Sequence, residues 1–293
     1  MGSLYNKVRT KLSLYAHRKV AGLLEGEYGS VFKGRSMDFD DLRAYIPGDD
    51  VKDIDWSATA RSGQTLIRRY IAIRKHNVMI VTDTGRNMMA VSESGEVKKN
   101  IAVMVSGVMG YIVLKHGDLI SLVAGDSEQN SYLPLKSDST HLEHILQRIN
   151  ATSGSDTAKS NFLVQLEYVA RTMRRRMIMV VIADEIPYVD ELRVLLRRLR
   201  VQHEIVWVTV ADADLTAEPL ITDVAFPEIN LPEFVRRNPQ VIDEYKTSQT
   251  KAREEFSHSL AKLGIASVIV SNEAEVPTKL FSLLEKQRYA KRV

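Results

Sequence analysis

The sequence predicts an α/β protein with a doubly wound, mostly parallel sheet. Two continuous apolar runs support this fold class: NVMIVTD, which ends at Asp83, and MIMVVIAD, which ends at Asp184. Uninterrupted apolar runs of this length are typical of strands that are buried on both faces. Beyond residue 77, further apolar runs alternate with segments of helical periodicity, which is the order that a parallel sheet with covering helices requires.

Beyond residue 77 the sequence predicts an alternating series of strands and helices. The longest apolar run, IAVMVSGVMGYIVL, lies in a predicted helix over Gly95–Lys115 and is shorter than the ~20 residues that span a bilayer, so we expect a core helix and no membrane span. The strand Asp118–Gly125 is expected to pair with Asn130–Leu135 as a hairpin. The later predicted helices are Thr140–Ile149, Asn161–Arg174, Val189–Arg200, Pro239–Leu263 and Val276–Arg288, and the later predicted strands are Met177–Asp184, Glu204–Asp212 and IASVIVS.

The first quarter of the chain has a different pattern of residues. A helix is predicted over Leu4–Leu24, a turn at Pro47-Gly48, and a strand over Thr65–Arg74. We therefore predict two parts: an N-terminal extension, residues 1–75, packed on an α/β domain, residues 76–293.

Composition excludes several classes of site and partner. The chain has 40 Lys and Arg against 37 Asp and Glu, a net charge of +3, so the overall charge does not point to nucleic acid. Its basic runs, residues 171–177 and 197–200, lack interleaved aromatic residues, and no nucleic-acid partner is expected. The absence of cysteine excludes disulfides and thiolate metal sites, and a cytoplasmic location is expected.

The segment YIPGDDVKDIDWSATAR, residues 45–61, carries four aspartates and one of the two tryptophans of the chain. Burying a tryptophan stabilises a fold by several kcal/mol, since Trp→Ala in a core costs ~3–5 kcal/mol, and we predict that Trp56 anchors this segment to the α/β domain. Carboxylates are not buried unpaired. We expect Asp55 and at least one of Asp49 and Asp50 to accept hydrogen bonds from backbone or arginine groups. A partner-binding face is the alternative for the same segment.

This segment also carries a resemblance to a known family. The chain resembles the domain of unknown function 58 family through an ordered set of residues, namely Asp38-Phe39, Arg43, Tyr45, Pro47-Gly48-Asp49-Asp50, Ile54-Asp55-Trp56, Ala60-Arg61 and Asp83 to Met88. The resemblance implies a von Willebrand factor A-like domain and an association with MoxR-type AAA+ ATPases.

The resemblance also implies a metal-ion-dependent adhesion site. Such a site takes an aspartate and two hydroxyls from an Asp-x-Ser-x-Ser stretch, which here reads Asp83-Thr84-Gly85-Arg86-Asn87. The implied ligands are Asp83, Asn87, Thr157 and Asp184, but Gly85 has no side chain to offer. Because Mg²⁺ requires near-ideal octahedral oxygen coordination, we expect it to bind weakly or not at all. From the residues alone, each strand-end aspartate could equally cap the helix that follows its strand.

Two functions follow from these observations. The first is a non-catalytic interaction or adaptor protein, which works with a MoxR-type ATPase and other proteins and uses no cofactor. The alternative is a metal-dependent hydrolase that uses Asp83 and Asp184. No Walker sequence, dinucleotide fingerprint or His-Glu-x-x-His motif occurs that would favour another catalytic class.

Overall fold

The computed structural model describes residues 3–13, 15–32, 38–71, 75–152, 158–213 and 238–290. The chain divides into two compact units. The first, called the α/β unit, comprises residues 1–31 and 77–293, and the second, called the motif unit, comprises residues 32–76. The predicted division at residue 75 is thereby corrected, because the first two helices belong to the α/β unit. The predicted packing of an extension on the main domain stays a prediction.

The α/β unit is built on a six-stranded sheet. Its strands are β3 (Asn77–Asp83), β4 (Leu119–Gly125), β5 (Asn130–Lys136), β6 (Ile178–Asp184), β7 (Glu204–Val210) and β8 (Ala266–Val270). Their order is β5-β4-β3-β6-β7-β8, and every neighbouring pair is parallel except the β4–β5 hairpin. The predicted fold class and the predicted hairpin are confirmed. The central strands are buried along almost their whole length, as their continuous apolar sequences indicate.

Helices cover this sheet. They are α1 (Leu4–Ser13), α2 (Tyr15–Val31), α4 (Lys98–Lys115), α5 (Ser139–Thr152), α6 (Phe162–Thr172), α7 (Asp190–Gln202), α8 (Pro239–Lys262) and α9 (Val276–Ala290). Helix α4 is buried over most of its length. Two of its glycines permit close contacts, since an added Cβ would lie 2.5 Å from the Val8 side chain at Gly107 and 2.4 Å from that of Leu142 at Gly110. The central helix therefore needs glycine mainly to admit its neighbouring helices.

The first two helices are integral to the α/β unit. Leu24 and Tyr28 of α2 are fully buried, and the Tyr28 hydroxyl donates to Asp118 at 2.8 Å, next to the start of β4. Helix α2 packs along α9, where Glu27 pairs with Arg288 at 3.0 Å. The sequence predicted one N-terminal helix ending at Leu24, whereas α2 continues to Val31 through its glycines.

Helix α1 begins on a carboxylate from another helix. Glu143 of α5 accepts hydrogen bonds from the Ser3 hydroxyl at 2.8 Å and from the backbone N–H groups of Leu4 at 3.1 Å and Tyr5 at 2.7 Å. These N–H groups have no partner within the helix, so Glu143, although distant in the chain, acts as an N-cap residue does. Partial burial raises the pKa of Glu143, but these hydrogen bonds outweigh it and the net shift is downward.

The motif unit contains an antiparallel strand pair and one short helix. Strand β1 (Asp38–Ala44), which the sequence analysis did not predict, pairs with β2 (Leu66–Ile71), and α3 (Trp56–Ser62) lies between them in the chain. Helix α3 ends at Gly63, whose φ of 70° is the left-handed conformation that glycine adopts readily. Between β1 and α3 lies a single 3-10 turn, Val51–Asp53.

In the part of the chain that the structure describes, none of the helices combines the length and the apolar character that crossing a membrane demands.

Replacing Glu143 by Ala should lower the free energy of unfolding by about 1–2 kcal/mol, since it removes the N-terminal cap of α1. The folded-state pKa of Glu143 lies below its ordinary value of 4.5. Its stabilising effect is therefore present above pH 4.5 and is lost as the pH falls through the folded-state pKa. Denaturant unfolding at pH 7 and pH 3 should show a difference between wild type and Glu143→Ala that shrinks in acid.

Glu244→Ala is the control for this experiment, because Glu244 is exposed on α8. A Glu143→Ala protein as stable as the control at pH 7 would contradict the capping role.

Candidate functional site

The candidate site lies where the parallel strands end. Strand β3 ends at Asp83 and its neighbour β6 at Asp184, and the register pairs Thr82 with Ile182 one or two residues earlier. The carboxyl ends of both strands therefore lie at the same edge of the sheet, where ligands bind in open α/β folds. Both aspartates are buried, with 1% and 4% of their surface exposed.

A lysine that the sequence analysis did not single out lies at this edge. Lys98, the first residue of α4, is 1% exposed, and its Nζ donates to Asp184 Oδ1 at 2.7 Å. The same ammonium contacts Asp212, just beyond the end of β7, whose side chain is 41% exposed. Burial lowers the pKa of Lys98, but Asp184 and Asp212 outweigh this effect and raise it above its ordinary value. The ammonium therefore remains charged at neutral pH, whereas burial outweighs the charge of Lys98 and raises the pKa of Asp184 to about 7.

Asp83 is held by neutral groups. Its Oδ1 accepts from the Gly85 N–H at 2.8 Å, and its carboxylate is hydrogen-bonded to the Ser160 hydroxyl. The Asn87 N–H in turn donates to Ser160 Oγ at 3.2 Å. Burial raises the pKa of Asp83, and the bonds from Ser160 and Gly85 together with the charge of Lys98 oppose that rise.

Both strand-end aspartates accept local main-chain hydrogen bonds. Asp83 accepts from the N–H two residues on, and Asp184 Oδ1 accepts from the N–H of Glu185 at 2.9 Å. These bonds hold the first residues of the turn after each strand. Neither aspartate caps the helix that follows its strand, because the N-cap positions of the 3-10 turn Arg86–Met89 and of α7 are Gly85 and Val189.

The other implied metal ligands are placed differently. Gly85 is closely covered by Ser160, and an added Cβ would lie 2.7 Å from the Ser160 Cα. Asn87 meets the site through its backbone N–H. Thr157 lies outside the described residues. Across the described ranges, no three His, Cys, Asp or Glu side chains are grouped so that they could hold a metal ion.

The donor set at this edge does not suit Mg²⁺. That ion prefers six oxygen ligands in a regular octahedron. Here Asp184 Oδ1 accepts from Lys98 and from a backbone N–H, and Asp83 Oδ1 accepts from Gly85. A dication would also be repelled by the Lys98 ammonium, which contacts Asp184 and Asp212. The arrangement is suited to charge compensation within the chain.

A second ion cluster lies beside the first. Arg253 of α8 donates to Glu185 Oε1 from two nitrogens, at 2.6 and 2.9 Å, and its third nitrogen lies 3.3 Å from Glu93. The Glu185 carboxylate also accepts from the Asp212 N–H at 3.0 Å. The residues that follow β6 and β7 are thus tied to α8 and to the loop before α4.

In the motif unit, the aspartates act as predicted. Asp49 forms two hydrogen bonds with the Arg43 guanidinium, at 2.7 and 2.8 Å, and accepts from the Ile46 N–H at 3.0 Å. Asp50 accepts from Lys52 N, and Asp55 caps α3 by accepting from Ala58 N, both at 3.0 Å. The expectation that Asp55 and at least one of Asp49 and Asp50 bond backbone or arginine groups is confirmed.

The turn and the flanking residues complete the motif. Asp49 N donates to Ile46 O across Pro47-Gly48, and Gly48 has a φ of 110°, the positive value that a type II turn needs at its third position. Tyr45 N donates to Thr65 O and joins the two strands. The Arg61 guanidinium donates to Ser57 O within α3.

The prediction that the Trp56 side chain is buried is wrong. Its side chain is 66% exposed, and Ile46 and Val51 nearby in the chain are 59% and 58% exposed. As the first residue of α3, Trp56 follows the cap Asp55 directly. The segment is therefore held by its carboxylates, and its large apolar side chains face solvent.

Two residues at the sheet edge were missed by sequence reasoning. Lys98 stands beside Lys99 in EVKKN, and nothing in that string distinguishes the buried lysine from its half-buried neighbour. The signal available was its position in the first turn of a helix whose central residues are mostly apolar. Ser160 has no local signal, because its contact with Asp83 spans 77 positions of the chain.

Comparison with known proteins gives a family and a set of remote structural neighbours. The family described as "Protein of unknown function DUF58" matches residues 41–264. Uncharacterized protein Mb1516 of Mycobacterium bovis and Uncharacterized protein Rv1480 of Mycobacterium tuberculosis H37Rv are each 25% identical to this chain over 219 residues, which cover 74% of this chain and 68% of theirs.

Two solved structures are remotely similar. A von Willebrand factor type A protein from Catenulispora acidiphila is 10% identical with a TM-score of 0.39, over 74% of this chain and 44% of that one. An aerotolerance-related membrane protein from Bacteroides fragilis is 15% identical with a TM-score of 0.43, over 72% of this chain and 99% of that one.

Gly85→Ser, which restores a hydroxyl to the Asp-x-Ser-x-Ser pattern, should destabilise the protein without creating a metal site. The backbone of Gly85 has a φ of −71°, which any residue adopts, so the cost is steric. Its Cβ would meet the Ser160 backbone at 2.7–2.8 Å, and such overpacking costs about 1–3 kcal/mol. Thermal unfolding with and without Mg²⁺ measures both effects.

Gly22→Ser on α2 makes the same chemical change where no atom lies within 4 Å, and it should leave stability nearly unchanged. Unchanged stability together with new Mg²⁺ binding in Gly85→Ser would show that the site needs only this hydroxyl.

Proposed function

This chain belongs to the DUF58 family of proteins of unknown function, and we propose that it is a non-catalytic interaction protein. One observation carries the proposal: the carboxylates at the strand ends are bound to groups of the same chain. Asp184 is bound to Lys98, and Asp83 to Ser160 and Gly85. A hydrolytic enzyme would need these carboxylates for a metal, a water or a substrate.

The motif unit supplies the surface for this role. Its carboxylates rigidify the segment, while Ile46, Val51 and Trp56 are each more than half exposed. Tryptophan and other large apolar side chains are enriched at the centres of protein interfaces, because their burial releases much ordered water. We propose that the partner is a MoxR-type AAA+ ATPase, as the family resemblance implies. The motif thus supports both roles considered for it. Its aspartates serve the structural role, and its exposed apolar side chains serve the partner-binding role.

Nucleic acid is not proposed as a partner. Several arginines of the basic runs already have partners in the chain: Arg171 pairs with Glu167 at 2.8 Å, Arg176 with Glu204 at 2.9 Å, and Arg198 donates to Ala170 O at 3.3 Å. We propose a cytoplasmic location, on the ground that the chain contains no cysteine.

Trp56→Ala should abolish recovery of an AAA+ ATPase when the tagged protein is used as bait in a native lysate. Because the side chain is 66% exposed, its removal should change the free energy of unfolding by no more than ~0.5 kcal/mol. Tyr289→Ala, which removes an aromatic side chain that is 53% exposed on α9, is the matched control and should retain the ATPase.

Asp55→Ala separates binding from folding in the same assay. It removes the cap of α3 and should cost about 1 kcal/mol of stability. Retention of the ATPase by Trp56→Ala would overturn the proposed surface, and a bait that recovers only nucleic acid would overturn the proposed function.

The alternative function is a metal-dependent hydrolase that uses Asp83 and Asp184, and the two candidates differ in metal binding. We propose a degenerate site in which Asp83, Asn87, Thr157 and Asp184 bind Mg²⁺ weakly or not at all. Isothermal titration of the wild type with Mg²⁺ or Mn²⁺ should show no binding near physiological concentrations, because too few oxygens are free to complete an octahedron. Tight binding would favour the hydrolase.

A further inference from the structure

Lys98 occupies a position that is unfavourable for a cation in two respects. Its side chain is buried, and a charge removed from water without compensation is strongly destabilising. It is also the first residue of α4, and the N-terminal end of a helix carries a partial positive charge that repels an ammonium group. The preceding residue, Val97, provides no side-chain cap that would reduce this effect.

The surroundings of Lys98 compensate for both effects. Asp184 Oδ1 lies 2.7 Å from Nζ, Asp212 contacts the same nitrogen, and Asp83 interacts with it electrostatically. These carboxylates stand at the ends of three different strands, β3, β6 and β7. The ammonium therefore joins the first turn of α4 to the carboxyl edge of the central sheet.

We propose that the Lys98 ammonium is the resident cation of this edge and takes the place that a divalent metal ion would hold in a metal-ion-dependent adhesion site. It provides the positive charge beside Asp184 and Asp212 that a metal ion would otherwise provide. The inference rests on the geometry of the α/β unit and is independent of which partner the protein binds.

A lysine in the place of a metal ion changes what this edge of the sheet can bind. A metal ion with an open coordination position can accept a carboxylate from a partner protein. The Lys98 side chain is 2% exposed, and Asp212 is the one member of the trio Lys98, Asp184 and Asp212 with substantial exposure. A partner therefore meets an acidic side chain at this edge, and divalent metal ions do not contribute to its recognition.

Two measurements on the wild-type protein test the proposal directly. Acetylation by an amine-reactive ester, followed by mass spectrometry, should leave Lys98 unmodified in the native protein and modify it after unfolding. Lys115, at the other end of α4, is paired with Glu25 but 52% exposed, and it should react in the native state. The melting temperature should be the same in EDTA and in 10 mM Mg²⁺.

Variants test the charge compensation. Lys98→Met keeps the apolar stem and leaves Asp184 buried without its cation, so the melting temperature should fall by about 5–15 °C. Lys115→Met removes an exposed pair from the same helix and should cost little. Adding Asp184→Asn to Lys98→Met removes the uncompensated charge and should recover part of the loss, which a double-mutant cycle measures as coupling.

Rapid native acetylation of Lys98, stabilisation of the wild type by Mg²⁺, or equal melting temperatures for Lys98→Met and Lys115→Met would each overturn the proposal. If Lys98→Met does not fold, the wild-type measurements and Asp212→Asn decide. Asp212→Asn removes a carboxylate that contacts the Lys98 ammonium, so in the otherwise wild-type protein it should lower the melting temperature. An unchanged melting temperature would overturn the proposal. None of these experiments involves the ATPase, so their failure is distinct from failure of the proposed function.

Discussion

The buried contact between Lys98 and Asp184 is the interaction on which the organisation of the α/β unit depends. The central strands are apolar on both faces, so polar groups are confined to the strand ends. Parallel topology brings these ends to one edge, and that edge is covered by the first turn of α4. A carboxylate buried there must find a positive charge or several N–H donors, because transfer of an unpaired charge from water is too costly.

The structure meets this requirement with groups from distant parts of the chain. Lys98 arrives on the helix after β3, Ser160 on the segment before α6, and Arg253 on α8. Each contact holds a loop or helix end in place and also stabilises a carboxylate. The same edge that holds ligands in many α/β proteins is occupied here by the chain's own side chains, and this is the physical ground of our proposal of a binding role.

The motif unit divides its residues between two tasks. Asp49, Asp50 and Asp55 hold the turn and the helix ends by accepting N–H and guanidinium donors. The neighbouring apolar residues, which include Val51 and Trp56, are free to be exposed because their side chains are not needed for those bonds. A loop whose backbone is held by local hydrogen bonds loses little conformational entropy when it binds, which makes it suitable as a contact surface.

The sequence by itself determined the fold class and the local chemistry of the motif. Burial of NVMIVTD and MIMVVIAD, the β4–β5 hairpin and the capping by Asp50 and Asp55 depend on residues that are close together in the chain, where hydrophobic periodicity and side-chain reach are sufficient guides.

Tertiary structure decided the features that depend on distant residues. The exposure of Trp56, the capping of α1 by Glu143 and the burial of Lys98 could not be predicted, because each is settled by what packs nearby. Lys98 and Lys99 are identical in type and adjacent in the chain, yet Lys98 is buried against Asp184, 86 positions away, and Lys99 is half-buried. A local pattern contains no information about a charge that only folding brings within 3 Å.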